Sequence, residues 1–251
     1  MNQQDEQGSG FEPPRPPHAG SSRTGLPRSV AVLAVAVVAL AIVSIVFTIG
    51  RGGVTGTLVD DDFSEAGDHW NLDSYKGIAT SINNGSYRVS LSTADSGWLD
   101  SVTFQGATEY PSVLIESQVQ FDQTADGANV GLACVSNPGE GESTTLFGRY
   151  EATIDLNGHA IVERFINGDT VTVEEVQSPV ELSESQTNDL ALECRFADDV
   201  ANVTFSLNGQ EAIGVENETS LTGYEGAGMV ANSMGAGLEV SFDHLTATAI
   251  D

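Results

Sequence analysis

Asp189-Leu190-Ala191-Leu192-Glu193-Cys194-Arg195-Phe196, followed by Val203-Thr204-Phe205-Ser206-Leu207-Asn208-Gly209, decides the fold. In the first stretch Leu190, Leu192, Cys194 and Phe196 alternate with Asp189, Ala191, Glu193 and Arg195. That period of two puts the apolar side chains on one face of a strand. Val203, Phe205 and Leu207 do the same, and Asn208-Gly209 closes them with a hairpin signal, since both residues tolerate positive φ. The pattern spreads outward. Val113, Ile115, Val119 and Phe121 share a face opposite Glu116, Gln118 and Gln120, and Tyr150, Ala152, Ile154 and Leu156 alternate with Glu151, Thr153, Asp155 and Asn157. Asn157-Gly158 and Asn167-Gly168 mark two more turns. No helical period competes, so the chain from about Gly56 to Asp251 reads as all-β. Roughly a dozen strands in about 195 residues fit one two-layer sandwich rather than two domains.

The N-terminal part reads differently. Ser29–Gly50 is an uncharged stretch bracketed by Arg28 and Arg51, and in its core, Val30–Ile49, only Ser44 and Thr48 are polar. Twenty residues at about 1.5 Å each span roughly 30 Å, the thickness of a bilayer's hydrocarbon core. The run begins after 28 residues, and its exit, Thr48-Ile49-Gly50-Arg51-Gly52-Gly53, has no Ala-x-Ala pattern, so it reads as one uncleaved transmembrane helix over 29–50 rather than a signal peptide. Arg15, Arg23 and Arg28 precede it and Arg51 alone follows closely, which places the N-terminus in the cytoplasm and the C-terminal domain outside the cell membrane. The tail, residues 1–28, is rich in proline and poor in apolar side chains and is expected to be disordered. Its Pro13-Pro14-Arg15-Pro16 favours polyproline II, with a plain solvated leader as the simpler reading. A Gly-rich linker, 51–56, then leads to a β-sandwich over 57–251.

Charge excludes one class of partner. Of the chain's 36 acidic and nine basic residues, 33 and five fall after Arg51, a formal net charge of −28 for that part. Such a surface repels nucleic acid and anionic lipid. The chain's two cysteines, Cys134 and Cys194, both fall on inward phases. Outside the membrane they are expected to pair, and closing a loop of that length contributes about 4 kcal/mol in the chain-entropy model. Two separate buried thiols are the competing reading.

A family resemblance joins these pieces. Asp61-Asp62-Phe63-Ser64, Trp70, Asn84-Gly85-Ser86-Tyr87-Arg88-Val89, Gly131-Leu132-Ala133-Cys134, Tyr150, Leu192-Glu193-Cys194, Leu207-Asn208-Gly209, Gly226 to Gly228 and Phe242-Asp243 follow one another in that order. The order is similar to that of a concanavalin A-like lectin/glucanase jelly roll. More narrowly it resembles the LamG-like or DUF1080-type ectodomains of single-pass membrane proteins on actinobacterial cell surfaces. The resemblance covers about 57–251. It implies a two-sheet jelly-roll sandwich with first and last strands side by side, and so Phe63 and Phe242 in one core. It also implies glycan binding or glycoside hydrolysis, between which a fold does not choose.

Catalytic motifs are wanting. Retaining glucanases of this fold carry E-x-D-x-x-E, two carboxylates about 5 Å apart on one face; the chain has no such motif. Glu151 and Asp155 share an outward face but lie roughly 13 Å apart along a strand, and a solvated polar face accounts for them. Ala231-Asn232-Ser233-Met234-Gly235 lacks the first glycine of a nucleophile elbow. Binding residues are better represented, because sugars offer C–H faces to aromatic rings and hydroxyls to carboxylates and amides. Trp98, in Asp95-Ser96-Gly97-Trp98-Leu99-Asp100, and Tyr110 and Tyr224, beside turn residues, are the candidates, with core packing as the competing reading. Asp60, Asp61 and Asp62 can offer oxygens to Ca²⁺, or simply be solvated carboxylates at a strand start. The expectation is therefore a non-catalytic, lectin-like surface domain for a glycan or envelope component, with a jelly-roll glycoside hydrolase as the alternative.

Overall fold

The computed structural model describes residues 54–251 apart from 65–69, 73, 105–109, 137–147, 167, 198–199, 220 and 222. The expected membrane helix Ser29–Gly50 and the tail before it lie outside the described residues. Among the described residues no helix is long and apolar enough to cross a membrane.

Every regular element described is a strand. The chain runs through β1 (Val54–Asp61), β2 (Ser74–Tyr75), β3 (Ile78–Asn83), β4 (Ser86–Leu91) and β5 (Ser96–Thr103). It continues through β6 (Ser112–Gln123), β7 (Asn129–Ser136), β8 (Gly148–Asp155), β9 (His159–Ile166) and β10 (Asp169–Gln177). It ends with β11 (Asn188–Ala197), β12 (Val200–Leu207), β13 (Gln210–Thr219), β14 (Gly226–Ser233) and β15 (Leu238–Ile250). β1 starts at Val54, so the last residues of the expected linker 51–56 are already strand.

Two antiparallel sheets result. One has nine strands, ordered β13-β12-β11-β6-β15-β4-β3-β2, with β1 added on β15; the other has six, ordered β10-β9-β8-β7-β14-β5. β15 pairs with β6 along one edge, while β4 and β1 share its other edge end to end, Leu238–Asp243 facing β4 and Leu245–Ile250 facing β1. First and last strands therefore do lie side by side.

The alternating residues fill the space between the sheets. Val113, Ile115, Val119, Leu190, Leu192, Val203, Phe205 and Leu207 from one sheet and Val130, Leu132, Tyr150, Ala152 and Ile154 from the other are all buried. Phe63 and Phe242 are in that core, linked by rings: Phe63 packs on Trp70 and Tyr87, Tyr87 stacks on Trp98, and Trp98 reaches Phe242. Cys134 on β7 and Cys194 on β11 form a disulfide, so one covalent bond ties the two sheets across the core.

Two turns set registers. Asn208 and Gly209 have φ of 50° and 76° and join β12 to β13 as a two-residue loop, with Leu207 opposite Gln210. The β8–β9 turn is longer by one. Asp155 Oδ1 accepts from the N–H groups of Asn157 and His159, Asp155 O accepts from Gly158 N, and Gly158 takes φ 78°. Three residues, Leu156 to Gly158, thus separate the strands, and a type I turn closed by a left-handed glycine is the usual form of such a loop.

Candidate functional site

The outer face of the six-stranded sheet is where this sandwich departs from simple alternation. β7 and β14 are buried at nearly every residue, on both faces, and β8 is buried over Tyr150–Ile154. On β7 the outward residues are Gly131, Ala133 and Val135; on β14 they are Gly226, Gly228 and Val230. Ala133, Val135 and Val230 form an apolar cluster of their own, with Leu99 against it, separate from the main core. At Gly228 an added Cβ would lie 3.1 Å from Asp100 O and 3.3 Å from Ala133 Cβ, so the floor of this face is built to the size of glycine and alanine.

Polar side chains border the floor in register. Ala133 on β7 is opposite Glu151 on β8, and Glu151 is opposite Glu163 on β9; one row over, Val135, Arg149 and Phe165 face one another. Directly opposed residues hold their Cβ atoms about 4.5–5.5 Å apart. Arg149 Nε donates to Glu151 Oε1, and its guanidinium lies 3.8 Å from the centroid of the Phe165 ring. Glu151 is only 5% exposed. Burial pushes its carboxyl above the usual carboxylate range; Arg149 pulls it back, and the Glu163 charge pushes it up again. The solvated polar face expected around Glu151 is therefore corrected: its carboxyl is buried and takes its hydrogen bond from Arg149 instead of from solvent. Asp155, its expected face-mate, is consumed as the cap of the β8–β9 turn.

The residues singled out for sugar stacking lie elsewhere. Trp98 is on β5 rather than in a loop, and its phase turns the indole inward, where it stacks on Tyr87 with ring centroids 5.3 Å apart. Tyr224 is fully buried, its hydroxyl without a hydrogen-bond partner, and burial pushes that hydroxyl far above its ordinary range. Tyr110 is half-buried and forms an isolated antiparallel bridge with Tyr224. Trp98 and Tyr224 cannot present a ring to a ligand. Turn-forming neighbours suggested exposure, and the packing of the opposite sheet overrode them.

Asp60, Asp61 and Asp62 take separate partners. Asp60 Oδ1 lies 2.7 Å from His244 Nε2; Asp61 accepts from Phe63 N and from Trp70 Nε1; Asp62 accepts from Ser64 N. Hydrogen bonds from Ser64, side chain first and backbone second, hold the Asp62 carboxyl below its usual range. Alternation along β1 turns Asp60 and Asp61 to opposite faces, and both oxygens of Asp61 are already engaged. The three carboxylates do not assemble a Ca²⁺ cage, and no group of three His, Cys, Asp or Glu side chains able to hold a metal converges among the described residues.

A second buried carboxylate is structural. Asp100, 4% exposed, points into the core and accepts from Tyr87 OH at 2.9 Å, Asn71 N at 2.8 Å, Asn71 Nδ2 at 3.2 Å and Ser101 N at 2.9 Å. Four donors offset the cost of burying the charge. They also pin Asn71 and, through it, the segment that carries Trp70.

Sequence reasoning passed over Glu163 and gave Glu151 to solvent. The register of the β8–β9 hairpin carried the signal, but Asn157-Gly158 read as a two-residue loop would oppose Glu151 to Arg164. The extra residue shifts the pairing by one and brings the two glutamates together.

No protein-family profile matches the chain, and no curated protein matches it by sequence. Solved structures do match. A Bacillus licheniformis β-glucanase superposes with a TM-score of 0.54 at 11% identity, over 78% of this chain and all of that one. A Bacillus subtilis protein of unknown function with a galectin-like fold gives 0.58 at 9% identity, over 79% and 98%. The carbohydrate recognition domain of Emp46p, in its potassium-bound form, gives 0.51 at 10% identity, over 80% and 100%. The described part of the chain is a concanavalin A-like jelly roll. Its similarity reaches lectin and glucanase structures alike and extends to the fold alone.

Proposed function

We propose that this is a single-pass surface protein, anchored through Val30–Ile49 with its N-terminus in the cytoplasm, whose jelly-roll domain binds a glycan or another component of the cell envelope. The outer face of the six-stranded sheet is the binding surface. One observation carries the reading: a floor of glycine and alanine is bordered by Glu151, Glu163, Arg149 and Phe165 in register. That combines the carboxylates and fixed guanidinium that sugar hydroxyls use with an aromatic ring for their C–H faces. The fold's occurrence among carbohydrate recognition domains supports the same class of ligand.

Binding of the full chain, purified in mild detergent, to a broad glycan array tests this, with Ca²⁺ and again with EDTA. Saturable binding that Glu151→Gln and Phe165→Ala each weaken at least tenfold, and that Gln120→Ala on the other sheet leaves alone, is the expected result. Binding to no glycan, or binding indifferent to Glu151 and Phe165, overturns it. Loss in EDTA alone would return Asp60, Asp61 and Asp62 to consideration.

A second reading rests on the Glu151–Glu163 pair. Opposed carboxylates, one buried with a raised pKa, are the elements of glycoside hydrolysis, one serving as general acid and the other as base or nucleophile. Release of reducing ends from a bound oligosaccharide, abolished by Glu151→Gln and by Glu163→Gln separately, would establish it in place of simple binding.

A further inference from the structure

The charge around Glu163 is unbalanced in a way that points to a ligand class. Among the described residues Arg149 is the one cation beside the two glutamates, and it is held twice: its Nε on Glu151, its guanidinium over Phe165. Glu163 is half-buried and has no hydrogen-bond or ion-pair partner among the described residues. Its cross-strand neighbours are Glu151 on β8 and Thr172 on β10, and Ile161 and Phe165 flank it on its own face, so no second cation faces it. Glu151, Glu163 and Arg149 together leave one negative charge, and Asp155 on β8 and Glu175 on β10, the latter paired with His159, lie on the same face farther along. A half-buried charge of this kind is screened less by salt than an exposed one. A cationic group arriving beside it gains both Coulomb energy and a charge-assisted hydrogen bond, whereas an incoming carboxylate meets repulsion.

We propose that Glu163 sets the charge preference of this face, selecting glycans that carry a free amino group over matched neutral ones and turning away those built of uronic acids. The proposal rests on the reading of the face as a glycan-binding surface, and the two can fail separately.

The test measures affinities of the full chain for glucosamine oligomers, for N-acetylglucosamine oligomers of the same length and linkage, and for oligogalacturonates. Wild type is expected to prefer the amine-bearing oligomer at least tenfold at low ionic strength and to show no saturable binding of the uronates. The preference should shrink as salt is raised. Glu163→Gln should bring the ratio of amine-bearing to neutral affinity to within twofold of unity, and Glu163→Asp should keep part of it; thermal melting checks that both variants fold. Equal affinities in wild type, or a ratio that Glu163→Gln does not move, overturn the charge preference and leave the glycan-binding reading standing. Absence of binding by every oligomer and by the wider array overturns both.

Discussion

The outer faces of the two sheets are built on the same backbone plan and end up in different environments. On the nine-stranded sheet, β6 presents Glu116, Gln118 and Gln120 to solvent, and its buried residues return at every second position. On the six-stranded sheet, the equivalent positions of β7, β8 and β14 are as buried as the core. The difference is in the size of the outward residues. Long polar side chains on β6 extend into water and keep the face open. Gly131, Ala133, Gly226 and Gly228 on the other sheet carry little or no side chain and are buried, as is the Glu151 carboxylate beside Ala133. A buried charge then needs a partner, which Arg149 supplies.

Cutting the link between the sheets should have the largest effect. Replacing Cys134 and Cys194 together by serine removes a cross-link that closes 60 residues of chain, worth about 4 kcal/mol in chain entropy. Urea denaturation should show that loss, and amide exchange should show both sheets losing protection together. Loss confined to the six-stranded sheet would mean that the two faces belong to separately cooperative units.

The next effect separates the faces directly. A Cβ at Gly131 would lie 1.9 Å from the carbonyl oxygen of Ala152, so Gly131→Ala must displace β8. The expected cost is about 3 kcal/mol, at the upper end for overpacking, against no more than ~0.5 kcal/mol for Gln120→Ala on the open face. Equal melting temperatures for the two variants would erase the contrast.

The smallest effect is a pH dependence. Burial raises the Glu151 pKa in the folded protein above its value of 4.5 in the free chain, so the native state binds the extra proton. The group's contribution to stability is then fully present below the unfolded pKa and is lost as pH rises through the raised folded value. As pH rises from about 4 through that raised value, wild type should lose stability relative to Glu151→Gln, which does not titrate. A difference constant across that range would show that Arg149 fully compensates the burial.

How far the sequence could be read varies with the kind of contact involved. Alternation in β6, β8, β11 and β12 gave the strands, because period two is a property of the local backbone. Cys134 and Cys194 were on inward phases, which brought their pairing within reach. Trp98 misled, since a Gly-containing, Asp-flanked segment looks like a loop until β14 pairs with it and Tyr87 covers the ring. Glu151 misled for the opposite reason: alternation places it outward, and outward is solvated only when no neighbour closes over it.

By itself the sequence determined that the domain is all-β, which residues of each strand share a face, that its surface is strongly acidic, and that a bilayer-length apolar stretch precedes it. These follow from period, composition and run length, each a sum over neighbours along the chain. Only the tertiary structure decided the order of strands, the burial of Trp98 and Tyr224, and the meeting of Glu151 with Glu163. Those depend on register between strands. A single additional residue in the β8–β9 turn moves every cross-strand partner by one and exchanges one face of the sheet for the other.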